Sequence, residues 1–192
     1  MSVLSIYDLN TLKGNTAPQP LEHFTDYPSI KNYLESLNVQ FERWVTHDEL
    51  ADYADQDTVI AAYEPEIKRL IEIYKFQSID VIQVKPDHID KQALRQKFLS
   101  EHIHDDFEVR FFIAGHGLFY LHVDDKVYSV LCEKGDLISV PSNTPHWFDM
   151  GENPNFKTIR LFTTPYGWVA NFTGNELAKQ FPTLDQIVSE LA

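Results

Sequence analysis

The chain has 192 residues, 43% of them hydrophobic and 13% aromatic, which suits one folded domain with a substantial core and excludes a disordered protein. A formal net charge of -13 at pH 7 argues against nucleic-acid binding and against an anionic membrane surface, since both need basic residues. A single cysteine excludes an intramolecular disulfide framework, and no apolar run approaches the roughly 20 residues that span a bilayer. We therefore predict a cytoplasmic protein without nucleic-acid or membrane partners.

The first hundred residues mix helices and strands. Apolar residues spaced three and four positions apart predict helices, β-branched alternation predicts strands, and three prolines in one stretch indicate a loop. The expected elements are an edge strand at 3–7, a surface loop at 11–28, helices at 29–37, 65–76 and 89–99, strands at 41–44 and 78–84, and a helical turn at 48–53.

From residue 107 onward short apolar runs are separated by glycine and aspartate turn signals. The runs are 107–113, 117–123, 126–132, 136–140, 146–149 and 156–163. This spacing predicts an all-β sandwich or barrel, followed by a helix at 184–191 with a capping box formed by Thr183 and Gln186. We expect one domain over 1–192, with N-terminal decoration at 1–100, a barrel core carrying the site at 101–170, and the C-terminal helix within 171–192.

One segment, EHIHDDFEVRFFIAGHG at residues 101–117, carries the chemistry. His102, His104 and Glu108 share one parity, so on an extended strand their side chains leave the same face, and His146 follows in a later strand. Three imidazoles and one carboxylate suit a divalent transition metal, and an octahedral ion would keep two open positions. The alternatives are surface histidines gathered by chance and a structural metal, although structural zinc sites usually have four closing ligands rich in cysteine.

These residues resemble a known family. The spacing His102-x-His104-x3-Glu108-x6-Gly115, with a second segment from Gly135 to His146, is similar to the two cupin motifs. The strings EVRFF and HWFDMG narrow the resemblance to the acireductone dioxygenases, from about residue 41 to residue 168. The resemblance implies a mainly β fold: a cupin-type double-stranded β-helix, or jelly-roll, barrel with several peripheral α-helices.

The function that the resemblance implies is an oxidoreductase of methionine salvage. Members of the family oxidise 1,2-dihydroxy-5-(methylthio)pent-1-en-3-one with O2. With Fe(2+) they yield 4-methylthio-2-oxobutanoate and formate, and with Ni(2+) they yield 3-(methylthio)propanoate, formate and carbon monoxide. His102, His104, Glu108 and His146 fall on the family's metal-ligand positions, so one ion per chain is expected.

Two arginines are candidates for the negative charge of the substrate, which should bind as an enediol dianion. Arg110 shares the ligand face and offers paired donors to enolate oxygens, although a salt bridge to an acid is the alternative. Arg160 is the second candidate, for which a salt bridge in the barrel wall is at least as good an interpretation. We assign Arg110 the catalytic role and Arg160 a place in substrate binding.

The remaining candidates follow from the same resemblance. Phe98, Phe148 and Trp168 match aromatic positions near the family's substrate pocket, and core packing is the alternative for each. Glu101, beside the first ligand, could orient that ligand or take part in metal loading, although its opposite parity favours an outward, solvated position. Phe107 stands where many relatives have an acid, which puts in doubt any coupling role of that acid.

Two further histidines lie near the motif, and two other functions are compatible with it. We expect His116 in an exposed turn and allow His122 to face the barrel interior, with neither as a ligand. The alternatives to an acireductone dioxygenase are another metallocupin enzyme and a non-enzymatic cupin that binds a small ligand. The expected partners are the acireductone and O2, and we expect a monomer.

Overall fold

Antiparallel pairing of short strands into two sheets dominates the computed structural model, which describes residues 1–12 and 18–191. Its strands are β1 (Val3–Asp8), β2 (Glu22–Phe24), β3 (Phe41–Arg43), β4 (Ser78–Val84), β5 (His102–Ile103), β6 (Glu108–Ala114), β7 (His116–Val123), β8 (Lys126–Glu133), β9 (Asp136–Val140), β10 (His146–Asp149), β11 (Phe156–Phe162) and β12 (Asn171–Phe172). Its α-helices are α1 (Tyr27–Ser36), α2 (Gln56–Ala62), α3 (Glu64–Tyr74), α4 (Lys91–Leu99) and α5 (Leu184–Leu191).

The two sheets lie face to face. A seven-stranded sheet has the order β12-β5-β10-β7-β8-β1-β2, and a five-stranded sheet has the order β3-β9-β6-β11-β4. Apart from the consecutive pairs β7–β8 and β1–β2, neighbouring strands in each sheet are not consecutive in the sequence, as in a jelly roll, where the chain crosses repeatedly between the two sheets. The predicted mainly β fold with peripheral helices is confirmed.

Alternation along the strands separates an interior from two outer faces. On β7, Phe119 points between the sheets with Phe112 and Phe148, whereas Leu118 and Tyr120 point outward. The outer face of the seven-stranded sheet is covered by residues near the C-terminus, and that of the five-stranded sheet by α2 and α3. The interior is therefore lined by alternate residues of β6, β7 and β10.

Most of the predicted elements are present within a few residues of their expected bounds. The capping box at α5 is also confirmed: the Thr183 N–H donates to Gln186 Oε1 (2.7 Å), and the Gln186 N–H donates to Thr183 Oγ1 (3.3 Å). Local signals were sufficient here because period and cap residues act within a few positions.

Three local predictions were wrong. β1 is an inner strand between β8 and β2, because residues 22–24 of the predicted surface loop pair with it. Residues 13–17 of that loop lie outside the described residues. The 48–53 segment forms turns, and the helix α2 was not predicted, although Asp55 caps it by accepting the Thr58 N–H at 2.8 Å.

Among the described residues, no helix has the length and apolar character that crossing a membrane requires.

Asp149 joins three elements at the end of the strand that begins with His146. Its carboxylate, 1% exposed, accepts from Arg95 of α4 (2.8 and 3.1 Å), from the Gly151 N–H (2.9 Å) and from the Leu184 N–H at the start of α5 (2.8 Å). This side chain therefore fixes α4 and α5 against β10.

We predict that Asp149→Ala lowers the free energy of unfolding by about 3 kcal/mol, because two buried N–H groups and Arg95 lose their acceptor. Urea denaturation measures the change. The matched control is Asp185→Ala: this carboxylate also accepts from Arg95 but is half exposed, so about 0.5 kcal/mol or less is expected. Equal losses in the two variants would contradict the role of Asp149.

Candidate metal centre

The candidate ligands come from both sheets and meet at one end of the interior. His102 lies on β5 and His146 on β10, where the two residues are direct cross-strand partners, and Glu108 begins β6 in the opposite sheet. The expectation of one extended strand from His102 to Glu108 was wrong. The chain bends at residues 105 and 106 and crosses from one sheet to the other, which brings Glu108 to the histidines from the opposite side.

Three buried imidazoles converge. His102, His104 and His146 each offer one ligand atom, and these atoms all lie within 4.8 Å of one another. In each ring Nδ1 hydrogen-bonds a backbone carbonyl. The acceptors are Ser100 O for His102 (2.7 Å), Val169 O for His104 (2.5 Å) and Thr144 O for His146 (2.8 Å). Because a carbonyl can only accept, Nδ1 carries a proton in every ring, and in the neutral form of each ring the lone pair is on Nε2, where a ligand can use it.

Glu108 completes the set. Its Oε2 lies 3.1 Å from His104 Nε2, and both atoms are buried without a hydrogen-bond partner in the described part of the chain. Two unsatisfied polar atoms at such close range are costly unless another group binds them. A divalent cation fits this donor set, since it would accept electron pairs from both atoms at once.

The charge states of the metal-free centre differ among its members. Burial lowers the pKa of His102 to about 4 and that of His146 to about 3. Burial also acts to lower the pKa of His104, but the adjacent Glu108 carboxylate outweighs it, so this pKa is raised. Burial acts to raise the pKa of Glu108, but Arg110 and His104 hold it well below its usual range. Two rings are thus neutral, while Glu108 is ionised.

Arg110 lies in the interior beside the ligands. Its Nη2 and Nε donate to Glu108 Oε1 at 2.8 and 3.2 Å, and its guanidinium lies 4.6 Å from the Phe148 ring centroid and 5.0 Å from that of Phe119. The side chain is 3% exposed. The salt bridge that was the alternative interpretation is therefore present, and its partner is the candidate ligand itself.

Arg160 is engaged elsewhere. It lies opposite Arg110 across β11 and β6, but its guanidinium donates two hydrogen bonds to Asp80 of β4, at 2.7 and 2.8 Å. The structure thus contains the ion pair in the barrel wall that was the alternative interpretation. A role of Arg160 in substrate binding stays a prediction.

The aromatic candidates are connected to one another, and one of them, Trp168, lies against two of the candidate ligands. The Trp168 ring is 5.5 Å from His102 and 5.6 Å from His104, and Phe98 contacts both Trp168 (5.5 Å) and Phe148 (6.2 Å), all between ring centroids. Trp168 belongs to the segment that follows β11 and extends two residues beyond β12, residues 163–174, which we call the strap. The strap lies across the ligand strand β5, because β12 pairs with it.

Glu101 and His122 are on the outer face of the seven-stranded sheet, bonded to each other. Glu101 has the expected opposite parity but is 3% exposed, so the solvated position was wrong: His122 Nδ1 lies 3.0 Å from Glu101 Oε2, and the Thr173 hydroxyl donates to Glu101 Oε1 at 2.7 Å. An interior position for His122 was also wrong, since it shares the outward face of Tyr120. Sequence reasoning missed Thr173, because nothing near residue 101 in the sequence indicates that so distant a segment covers the Glu101 carboxylate.

Phe107 packs outside the site. Its ring stacks on Tyr74 (5.1 Å) and Phe76 (6.0 Å), while its N–H donates to Thr163 Oγ1 at 3.1 Å. His116 is exposed, as expected, but it is the first residue of β7 and not part of a turn.

Comparisons with known proteins agree with this geometry. Residues 12–170 match the ARD/ARD' family. The acireductone dioxygenase of Aquifex aeolicus is 56% identical over 169 residues, covering 88% of this chain and 92% of the relative, and that of Methylococcus capsulatus is 48% identical over 189 residues, covering 98% and 100%. A solved acireductone dioxygenase from Bacillus anthracis, with a cadmium ion in its active centre, superimposes with a TM-score of 0.73 at 27% identity, covering 90% of this chain and 98% of that one.

The match to the Bacillus anthracis structure confirms the cupin architecture. The sequence matches extend over most of the chain and establish its family. The chain belongs to the ARD/ARD' family of acireductone dioxygenases.

Proposed function

We propose that the chain acts as an acireductone dioxygenase through a divalent ion held by His102, His104, Glu108 and His146. The observation that carries the proposal is the convergence of three imidazoles with protonated Nδ1 atoms on a carboxylate whose Oε2 has no partner. Its reaction joins O2 to the enediol of a methylthio acireductone and cleaves the carbon chain, a step of methionine salvage.

Fe(2+) and Ni(2+) both suit the donor set, since imidazole nitrogen and carboxylate oxygen bind either ion. When bound, the ion would supply open positions and positive charge for a chelating enediolate. The family's pattern of keto acid and formate with iron, and of methylthiopropanoate, formate and carbon monoxide with nickel, is proposed for this chain as well. The expectation of a cytoplasmic monomer stays a prediction.

Arg110 supplies positive charge and hydrogen-bond donors for an anionic substrate. One ionised carboxylate and three neutral rings leave a divalent ion with a net charge of about +1, and the guanidinium adds another positive charge inside the barrel. Only part of the guanidinium is used by Glu108, so the remaining N–H groups can donate to an enolate oxygen. Held by Phe119 and Phe148, the guanidinium needs no rearrangement to do so.

The aromatic residues shape the space beside the ligands. Phe98, Phe148 and Trp168 form a connected apolar set that contacts His102 and His104. Such a set excludes water from the reacting enediolate and can pack against a thioether tail. We propose that these three side chains contact the substrate.

Reconstitution tests the function directly. The metal-free protein, loaded without oxygen with Fe(2+) or Ni(2+) and then given acireductone and O2, is expected to form formate with both ions and carbon monoxide with nickel alone. Oxygen uptake and product analysis measure the outcome. No uptake above the uncatalysed rate with either ion would overturn the proposed activity.

Glu108→Gln tests the ligand set. Glutamine has nearly the same size as glutamate, but its neutral amide is a weaker metal ligand than the carboxylate. The metal content should therefore fall at least about tenfold, and turnover should fall with it. The control is Glu72→Gln on the exposed face of α3, which should retain full metal content. Full occupancy in Glu108→Gln would remove this residue from the centre.

Metal affinity should depend on pH through one proton. Between about pH 5 and pH 6.5, His102 and His146 are already neutral and Glu108 is already ionised, whereas His104, whose pKa is raised above 6.5, still holds a proton. Binding displaces that proton, so the logarithm of the affinity should rise with pH with a slope of about one and level off above the His104 pKa. Chelator competition at several pH values measures the slope, and a slope of about two or more would contradict this distribution of protons.

Arg110→Lys should lower kcat/KM by about 10- to 100-fold with metal content retained, because lysine keeps the charge but loses the paired donors. The matched variant is Arg160→Lys, whose parent guanidinium is paired with Asp80, so a loss of less than about threefold is expected. Steady-state kinetics on both variants, with metal analysis, distinguishes the arginines. Equal losses would make Arg160 a substrate ligand, and no loss in Arg110→Lys would remove Arg110 from the reaction.

A further inference from the structure

Glu101, His122 and Thr173 form a hydrogen-bonded group on the outer face of the seven-stranded sheet, which we call the clasp. The Glu101 carboxylate receives the Thr173 hydroxyl on one oxygen (2.7 Å) and lies 3.0 Å from the His122 ring nitrogen through the other. The Thr173 N–H also donates to the Glu101 carbonyl at 3.1 Å. The clasp thus ties together β5, β7 and the end of the strap.

The clasp is adjacent to two ligands without touching either. Glu101 immediately precedes His102, and the His122 N–H donates to the carbonyl of Pro145 (2.8 Å), the residue before His146. Glu101 also lines a cavity of about 630 Å³ on this outer face, on the opposite side of the sheet from the candidate centre. The Glu101 carboxylate is therefore too far round the sheet to bind the metal, and it can affect the centre only by holding neighbouring residues in place.

The strap carries two contacts onto the centre. The Val169 carbonyl accepts from His104 Nδ1 at 2.5 Å, and the Trp168 ring packs against His102 and His104, with Lys97 Nζ on it at 4.5 Å from the centroid. His104 differs in this respect from the other two rings. His102 and His146 donate to carbonyls two residues before themselves, whereas His104 depends on a carbonyl 65 residues further along the chain.

We infer that the clasp is a positioning device for His104: by fixing the end of the strap, Glu101 and Thr173 hold the Val169 carbonyl on Nδ1 and keep Nε2 aimed at the metal. This inference rests on the proposed ligand role of His104. It assigns Glu101 a part in the reaction that acts through the strap, and it gives Thr173 and His122 parts that sequence reasoning did not find.

The test compares the exchange of three ring protons in one molecule. In the Co(2+)-loaded protein, each ligand imidazole has an Nδ1 proton whose NMR signal is shifted by the paramagnetic ion, and its exchange with solvent reports on its hydrogen bond. Thr173→Val keeps the side-chain shape but loses the hydroxyl. In this variant the His104 Nδ1 proton should exchange with solvent about fivefold faster. The His102 and His146 signals should be unchanged, because their acceptors lie outside the strap.

Two variants are matched to this change. Thr173→Ser keeps the hydroxyl and should restore the slow exchange. Thr164→Val makes the same substitution in the same strap, at a threonine whose hydroxyl has no hydrogen bond within the described residues, and should leave all three signals as they are. Backbone amide exchange in the metal-free protein should likewise be faster at residues 171–174 in Thr173→Val alone.

If all three Nδ1 protons exchange equally faster in Thr173→Val, the substitution has loosened the fold in general. If none of the three exchange rates changes, the strap holds His104 without help from the clasp. Either result would overturn the inference while leaving the proposed function intact. If the wild-type protein shows no shifted ring protons because it binds no Co(2+), the ligand assignment fails first, and the inference with it. Faster dissociation of the metal to a chelator in Thr173→Val, reversed in Thr173→Ser, completes the expected result.

Discussion

The structure depends on bringing four polar side chains into a buried interior and leaving two of their atoms unsatisfied. His104 Nε2 and Glu108 Oε2 are 3.1 Å apart without a hydrogen bond, in a barrel end otherwise packed with aromatic rings. Burial of such atoms is unfavourable, so they persist only because the surrounding sheets fix them and because a cation can recover the cost. The backbone carbonyls on Nδ1 do part of that fixing, since they determine both the tautomer and the direction of each ring.

The charges within the barrel follow from the same constraint. A buried carboxylate needs a counter-charge, and in the metal-free protein Glu108 obtains it from Arg110 and His104. A bound ion would replace His104 as the counter-charge at Glu108 Oε2, and Arg110 would keep its hydrogen bonds to Oε1. The second arginine is balanced separately by Asp80 at the wall. This difference in pairing is why we propose Arg110 as the arginine that faces an anionic ligand.

Sequence reasoning reached most of the fold, because period-two alternation and turn residues act locally. It grouped the candidate ligands by parity and motif spacing, and they do converge, but through a bend at residues 105 and 106 and not along one strand. It failed where a face is covered by a distant segment. Parity placed Glu101 on the outer face but could not reveal that Thr173, more than seventy residues later, would bury it. For the same reason β1 was expected at an edge: nothing in residues 3–7 indicates that residues 22–24 pair with it.

The position of Phe107 shows how the ligand segment and the strap are joined. Its side chain packs on Tyr74 and Phe76, away from the centre. Its N–H, however, donates to Thr163 Oγ1, and the neighbouring Asp106 carboxylate accepts the Thr164 N–H at 3.3 Å. The beginning of the strap is thus tied to the residues between His104 and Glu108, through a backbone donor that any side chain except proline would leave in place. With the end of the strap bonded to Glu101, both ends of the strap are hydrogen-bonded to residues 101–108, the segment that carries three of the four candidate ligands.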